Sequence, residues 1–417
     1  MRRLDPEGSG EATRKLEEFF LKWVRGQDDA IKRLVGNIDL HDSGFRDPNR
    51  PIYSGLFLGP SGVGKTLMAE VLAEHWFGSR KAFTKIACAQ YREPHRIADL
   101  IGSPAGYVGF YNPNDPNYRG VEPQLSQRKI DQYDHLSRLV TDRDMAEGKK
   151  KVDELWAEYE RLDELMREAF RRKDASELKR LKERQDALNN MMFQLEKKFA
   201  YNPNKYNYRS IILFDEIEKA DTALHNLLLE INDKAAIKLA SGQMTRFNNS
   251  VILLTSNVGS KQISEILKGK KGIGFTAGDD QKKKDEDIYR KASQAAYDVF
   301  SPEFLGRLRI SVFRPLSKKT LLEIFDCLLK EFESELAAKK LPLVFKLDPE
   351  VKEFIVDEAS DRVESGARLL RNKIGKYLRE PLSRLKNRGE LAANDILVFK
   401  LEEEGGVKKI AVYKENG

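Results

Sequence analysis

Cysteine is nearly absent: only Cys88 and Cys327 occur in 417 residues, each among apolar neighbours. That excludes a disulfide framework and predicts buried thiols in a reducing compartment. Histidine is almost as scarce, and the five that occur are scattered without metal-ligand spacing, so no zinc-type site is expected. No run approaches the roughly 18 consecutive apolar residues of a membrane-crossing helix. The opening MRRLDPEGSG lacks the apolar centre of a signal peptide, so a soluble, cytoplasmic protein without a membrane partner is expected. Charge of one sign is also in short supply. With 73 basic against 66 acidic residues the net charge is only +7, spread along the chain, whereas nucleic-acid binders concentrate it on one face. The length leaves room for two or three domains.

Glycine, by contrast, is concentrated where it matters. Residues 54 to 66 read SGLFLGPSGVGKT, an apolar strand-like run followed by G-x-x-x-x-G-K-T and then the helix-forming LMAEVLAEHW. Strand, glycine loop and helix in that order form a phosphate-binding loop. The glycines let backbone N–H groups turn toward a triphosphate, and the following helix offers its N-terminus to the anion. Lys65 reaches the β- and γ-phosphates, and the Thr66 hydroxyl suits magnesium. Gly59-Pro60-Ser61-Gly62-Val63-Gly64-Lys65-Thr66-Leu67 is therefore the expected binding stretch for ATP and Mg2+.

Strand-like runs recur at Phe83 to Cys88, Ile211 to Phe214 and Val251 to Thr255, separated by helical patterns. That alternation predicts an α/β fold with a parallel sheet between helices. Asp215 and Glu216 follow the second of these runs at its carboxyl end, where open α/β sheets place ligands. Asp215 suits the magnesium shell, and Glu216 suits a base that orients and deprotonates water. Asn257 emerges at the same edge. From residue 316 the pattern changes to amphipathic helices at about 317–339, 349–360 and 366–388, with strand-like VFKL, ILVFKL and KIAVYK around them. The expected division is a large ATPase domain at 1–315, an insertion at 130–208 and a small α+β domain at 316–417.

With these pieces in place, the chain resembles the Clp family of AAA+ ATPases, in particular their second ATPase module. The likeness is carried in order by VRGQDDAI (24–31), GPSGVGKT (59–66), LIGSPAGYVGF (100–110), LFDEIEKA (213–220), LLTSNVGS (253–260), FSPEFLGRL (300–308) and SGARLLRNKI (365–374). The resemblance implies that Val24, Gly26, Gln27 and Ile31 line the adenine pocket and that Asn257 senses the γ-phosphate. Arg307 would be the arginine finger given to a neighbouring subunit, and Arg368 the second sensor in a small lid domain. A finger acting in trans requires a ring, and the family implies a homo-hexamer. Gly106-Tyr107-Val108-Gly109 matches the family's substrate-gripping pore loop. An aromatic held between glycines can press on an extended polypeptide of any sequence, because apolar contact needs no particular hydrogen-bond partner. Ile273-Gly274-Phe275 is similar to the tripeptide by which such ATPases dock on the ClpP peptidase. Two departures stand out. The sequence carries neither the family's N-terminal substrate domain nor a first ATPase module, so it reads as a one-ring enzyme or a fragment. The second pore-facing loop, Ala240 to Thr245, is short.

The family lacks the segment between the pore loop and Asp215. Val152, Leu155, Tyr159, Leu162, Met166 and Ala169 recur at intervals of three and four, as do Leu178, Leu181, Gln185, Leu188, Met192, Leu195 and Phe199. With a break at Lys173-Asp174-Ala175-Ser176, the two stripes predict an antiparallel coiled-coil hairpin. From Asp142 to Lys198 there are 15 basic and 15 acidic residues, so the hairpin has no net pull on a phosphate backbone. Near-repeats, Tyr111 to Asn114 and Tyr201 to Asn204, bracket it. An adaptor or a neighbouring subunit is its expected contact, against a merely solvated appendage.

The expectation is thus an ATP-hydrolysing unfoldase acting on polypeptides. A nucleic-acid motor or loader would share the nucleotide site but want basic pore loops, and Ala105 to Phe110 has none. A scaffold that binds ATP without turnover would have no use for Glu216 and Arg307.

Overall fold

A computed structural model describes residues 10–104, 106–107, 110–111, 121–141, 143–172, 175–199, 207–268, 279–360, 366–404 and 407–415. The sheet at its centre contains β1 (Tyr53–Leu58), β2 (Thr84–Ala87), β3 (Ser210–Asp215), β6 (Ser250–Ser256) and β7 (Arg309–Val312), in the order β2-β3-β6-β1-β7 and parallel throughout. Every residue of β1 and β6 is buried, as expected of central parallel strands covered on both faces. The two faces divide by the alternation of the pleat. Leu56, Leu58, Ile212, Phe214, Ile252 and Leu254 share one core, and Phe57, Ile211, Leu213, Val251 and Leu253 belong to the other.

The second of these cores is closed by α1 (Glu11–Trp23), α2 (Asp28–Asp42) and α3 (Lys65–Phe77), which contribute Phe20, Ile31, Leu34, Met68 and Leu72. The first is closed by the short α4 (Ala98–Ile101), by α5 (Gln127–Thr141), by α8 (Thr222–Lys234) and by α11 (Pro302–Gly306). A two-stranded ribbon, β4 (Ala236–Lys238) with β5 (Met244–Arg246), follows α8. Farther along, α9 (Ser260–Lys268) and α10 (Asp279–Tyr297) join in a small cluster of Ile263, Ile288 and Ala292.

Two long helices, α6 (Arg143–Arg172) and α7 (Ala175–Phe199), follow α5. They pack together through Leu155, Leu162, Leu188 and Met192, with Tyr159 and Leu181 at the margin and an Arg184–Glu158 ion pair 2.5 Å long. The boundary expected at residue 130 falls inside α5. Ile130 is 1% exposed in the sheet's core, and Asp134 accepts a hydrogen bond of 2.6 Å from the Arg209 N–H, so this helix braces the start of β3. The Lys173-Asp174 turn and the bracketing repeats at 112–114 and 201–204 lie outside the described residues.

The C-terminal part has its own core, including Phe325, Ile355, Leu370, Leu378 and Phe399. Its helices are α12 (Lys318–Ala338), α13 (Pro349–Ser360), α14 (Gly366–Ile374) and α15 (Glu380–Asn387). They cover a sheet in which β9 (Ile396–Glu404) pairs parallel with β8 (Val344–Leu347) and antiparallel with β10 (Val407–Glu415). The continuous helix expected over 366–388 is instead α14, a π turn at Gly375–Arg379 and α15. Pro381 lies in the first turn of α15, and its missing N–H interrupts the regular ladder just upstream. Among the described residues no helix is long and apolar enough to cross a membrane.

Candidate active site

The register of the sheet brings the carboxyl ends of β1, β3 and β6 to one edge, with Leu58 beside Ser256 and Phe214 beside Leu254. The glycine loop leaves that edge. Gly59 has φ +143°, and a Cβ there would stand 2.5 Å from the Phe313 carbonyl oxygen, so the close passage of these backbones requires glycine. Gly64, at φ +103°, turns the chain into α3, whose first turn has neither a side-chain cap nor an acidic residue. Its opening N–H groups are therefore left to an anion. Lys65 is buried with its Nζ donating to the Gly59 carbonyl at 2.5 Å, the Pro60 carbonyl at 2.8 Å and Asn257 Oδ1 at 3.0 Å. Burial pushes its pKa down to about 8, against the upward pull of Glu218, Asp215 and Glu216.

Opposite stand the carboxylates. Burial alone would raise the Asp215 pKa, but hydrogen bonds from Lys85 and Thr255, and the charges of Lys85 and Lys65, hold it below the ordinary carboxylate value. Thr255 Oγ1 donates to Asp215 Oδ1 at 2.6 Å and accepts from the Glu216 N–H at 3.1 Å, so one hydroxyl positions both acidic residues. Glu216 has left-handed backbone, φ 59° and ψ 55°, a strained conformation for a residue with a side chain. Its Oε1 accepts from Asn257 Nδ2 at 3.4 Å, and its Oε2 pairs with Lys219 at 2.6 Å.

The remaining wall comes from the C-terminal part. The Ala367 N–H donates to the Gly62 carbonyl at 2.9 Å, and a Cβ on Gly366 would lie 2.6 Å from that same oxygen. Arg368 and Arg371, one turn apart on α14, both face the resulting cavity, which encloses about 470 Å³. Ligand pockets commonly enclose 300–1,000 Å³. Ser61 to Leu67, Asp215, Glu216, Asn257 and Val24 line it as well, and Leu316, Ile324 and Leu328 give it an apolar end near Val24.

Other expected residues stand elsewhere. Gln27 and Ile31 are not among the residues that line the cavity, though Gln27 Nε2 reaches the carbonyl of Val63, which does. Ile31 is wholly buried, and both ends of the Gln27 amide are taken by backbone: Nε2 donates to the Arg314 carbonyl at 2.9 Å and Oε1 accepts from the Arg314 N–H at 3.0 Å. Gly26, at φ +72°, lies against the Thr320 side chain of α12. Arg307 is not among the residues lining its own chain's cavity and pairs with Asp233 of α8. Tyr107 is 71% exposed beside Gly106 at φ +92°. Val108, Gly109, Ile273, Gly274 and Phe275 lie outside the described residues.

Several residues of the cavity were not read as site residues from the sequence, and one of them, Cys327, was expected to be buried like Cys88 but is only partly so. Trp23, Glu70, Arg80, Lys85, Thr255, Cys327 and Glu331 all line the cavity. The Arg80 guanidinium lies 4.0 Å over the Trp23 ring and bridges Glu74 at 2.7 Å to Glu331 of α12 at 2.5 Å. Glu70 follows Thr66 by four residues, a helical spacing that puts both on one face and could have marked it. The pairings of Arg80 with Glu331 and of Lys85 with Asp215 cross the fold and leave no local trace.

A family model for the AAA domain, Cdc48 subfamily, matches residues 50–114 and 138–311. The chain belongs to that family. A second family model, for the C-terminal D2-small domain of the ClpB protein, matches residues 316–399 of this AAA protein. It is 30% identical over 397 residues to the chloroplastic chaperone protein ClpC2 of Oryza sativa subsp. japonica, covering 94% of this chain and 33% of that protein. It is 31% identical over 387 residues to the chaperone protein ClpB of Meiothermus ruber, covering 93% of this chain and 34% of that one. The chain thus spans about a third of the length of the curated relatives it matches. Two solved structures share the fold: a closed-state reconstruction of Hsp104 with ATPγS and FITC casein (TM-score 0.63, 22% identity, 96% of this chain and 52% of that one), and an extended Hsp104–casein complex from S. cerevisiae (0.66, 21%, 97% and 53%).

Membership of the AAA family implies a nucleotide, and the uncapped start of α3 beside a buried lysine fits its phosphates. Among the described residues no cluster of three metal-ligating side chains occurs. Magnesium at such sites takes only one or two protein oxygens and completes its shell from phosphate and water, so Thr66 and Asp215 are a sufficient donor set.

Proposed function

We propose that this AAA protein binds ATP with magnesium in the cavity between the glycine loop and α14, and hydrolyses it to unfold and thread polypeptides in the manner of a Clp ATPase. The observation that carries the reading is Glu216: a strained carboxylate at the sheet edge, aligned by Thr255 and hydrogen-bonded to Asn257, which in turn holds Lys65. In this reading Lys65 and the α3 N-terminus hold the phosphates, Thr66 and Asp215 hold the metal, and Glu216 orients and deprotonates the attacking water. Bound magnesium would neutralise phosphate charge. Asn257 and Arg368 read the terminal phosphate, with Val24 at the base. The two carboxylates share Thr255 but have separate cations, Lys85 for Asp215 and Lys219 for Glu216, and only Glu216 also accepts from Asn257.

Arg307 does not line its own chain's cavity, and that supports its donation to a neighbouring subunit in a homo-hexameric ring. The exposed Tyr107 supports a polypeptide grip in the pore with Gly106, Val108 and Gly109. We assign 1–315 to the ATPase domain, 316–417 to its lid, and the helical pair within 130–208 to a coiled-coil arm that docks an adaptor. Ile273-Gly274-Phe275 is the candidate contact for a ClpP-type peptidase, and a cytoplasmic setting accords with the two unpaired thiols.

Glu216→Gln is expected to keep ATP binding and ring assembly while abolishing turnover. Tyr107→Ala is expected to spare basal hydrolysis and lose unfolding of a folded, tagged reporter. Undiminished turnover in the first variant, or hydrolysis that ignores polypeptides and rises with DNA or RNA, would overturn the reading.

A further inference from the structure

Lys85, on β2, places its ammonium 2.8 Å from Asp215 Oδ2, while Oδ1 accepts from Thr255. The metal-facing carboxylate thus already carries a cation on its outer oxygen. A divalent ion arriving there would meet a like charge across one carboxylate, so the two compete for Asp215. The Lys85 side chain is 49% exposed and hangs on a flexible stem, so it can leave.

The same cavity offers it a destination. Glu70 lies on the α3 face one turn beyond Thr66, is half-buried, and takes only longer-range attraction, from Arg80, Arg371 and Lys85. Burial raises its pKa, as expected of a carboxylate without a close cation. The two arginines are held: Arg80 binds Glu74 and Glu331, and Arg371 lies 3.5 Å from Glu331. Among the described residues, Lys85 alone of these three is held by nothing but the carboxylate that the metal claims.

Resting on the nucleotide-site reading above, we propose that Lys85 is a positioning residue with two stations: it neutralises Asp215 before magnesium arrives, and crosses to Glu70 when the metal takes its place. The site is then never left with an uncompensated Asp215 facing phosphate, and metal binding is coupled to a charge movement along the wall of α3.

The test is the affinity of the full chain for a fluorescent ADP analogue in magnesium and in EDTA, the readout being the dissociation constant in EDTA divided by that in magnesium. Lys85→Gln removes the placeholder, so metal-free binding weakens, the metal no longer has a competitor, and the ratio is expected to rise about fivefold or more. Lys85→Arg should restore it to about the wild-type value. Glu70→Gln removes the second station, holds Lys85 on Asp215, and should lower the ratio. A ratio within about twofold of wild type in Lys85→Gln, or the two Gln variants moving the same way, overturns the proposal. A wild-type chain that fails to bind the analogue in magnesium overturns instead the nucleotide-site reading, and with it the ground for this one.

Discussion

The central sheet and the α6–α7 pair are both built from regularly spaced apolar residues, yet they hold together in different ways. In the sheet, β1 is paired on one side with β6, about 200 positions onward, and on the other with β7, still farther along. Nothing in it forms until distant segments meet, and every residue of β1 and β6 is then buried. In the helical pair the packing joins two helices consecutive in the chain, the buried set is small, and the flanks carry exposed ion pairs such as Lys150–Glu154, Asp163–Arg167 and Glu168–Arg172. The sheet is therefore expected to unfold as one cooperative body, and the pair to open separately from it.

That contrast can be broken in graded steps. The largest effect is expected from Phe57→Ala, which empties a fully buried site against Phe313, ring centroids 4.9 Å apart. About 3–5 kcal/mol of stability should be lost in a single denaturant transition that carries nucleotide binding with it. Leu162→Ala should cost about 2 kcal/mol locally: helical circular dichroism would fall in a separate early transition, with ATP turnover and the main midpoint unchanged. One merged transition would show that the pair and the sheet are not separable. Asp163→Ala, which removes a solvent-exposed pair 2.6 Å long, should change stability by only about 0.3–0.5 kcal/mol. A larger loss there would mean that surface charge, not the Leu155 to Met192 seam, holds the helices together.

Legibility in the sequence follows the same division between local and distant causes. The runs around Leu56, Ile211 and Val251 announced buried strands because each is apolar on both faces, and the glycine loop and the acidic pair took their meaning from where those strands end. β7 did not announce itself. Arg309-Ile310-Ser311-Val312 is short and mixed, and only pairing with β1 makes it a strand. The three strands of the C-terminal part were readable, but the π turn was hidden because Pro381 near a helix start looks ordinary until the preceding turn is seen to continue. At the site, Lys65, Asp215, Glu216 and Asn257 lie where their motifs put them. Gln27 was assigned to the adenine pocket by likeness, and what the geometry adds is its tie between the segment after α1, the Arg314 backbone and the carbonyl of the cavity-lining Val63. Trp23, Arg80 and Glu331 come together from three separate helices or their ends, a convergence that no periodicity encodes.

The meeting of Gly366 with Gly62 has a mechanical consequence. Their contact is backbone against backbone, fastened by the Ala367 N–H, with no long side chain between to take up slack. When the peptide carrying the Gly62 carbonyl tilts, α14 must travel with it or the hydrogen bond breaks. The C-terminal part is in this way geared directly to the loop, like a lever resting on its fulcrum, and even a methyl group at position 366 would jam the joint.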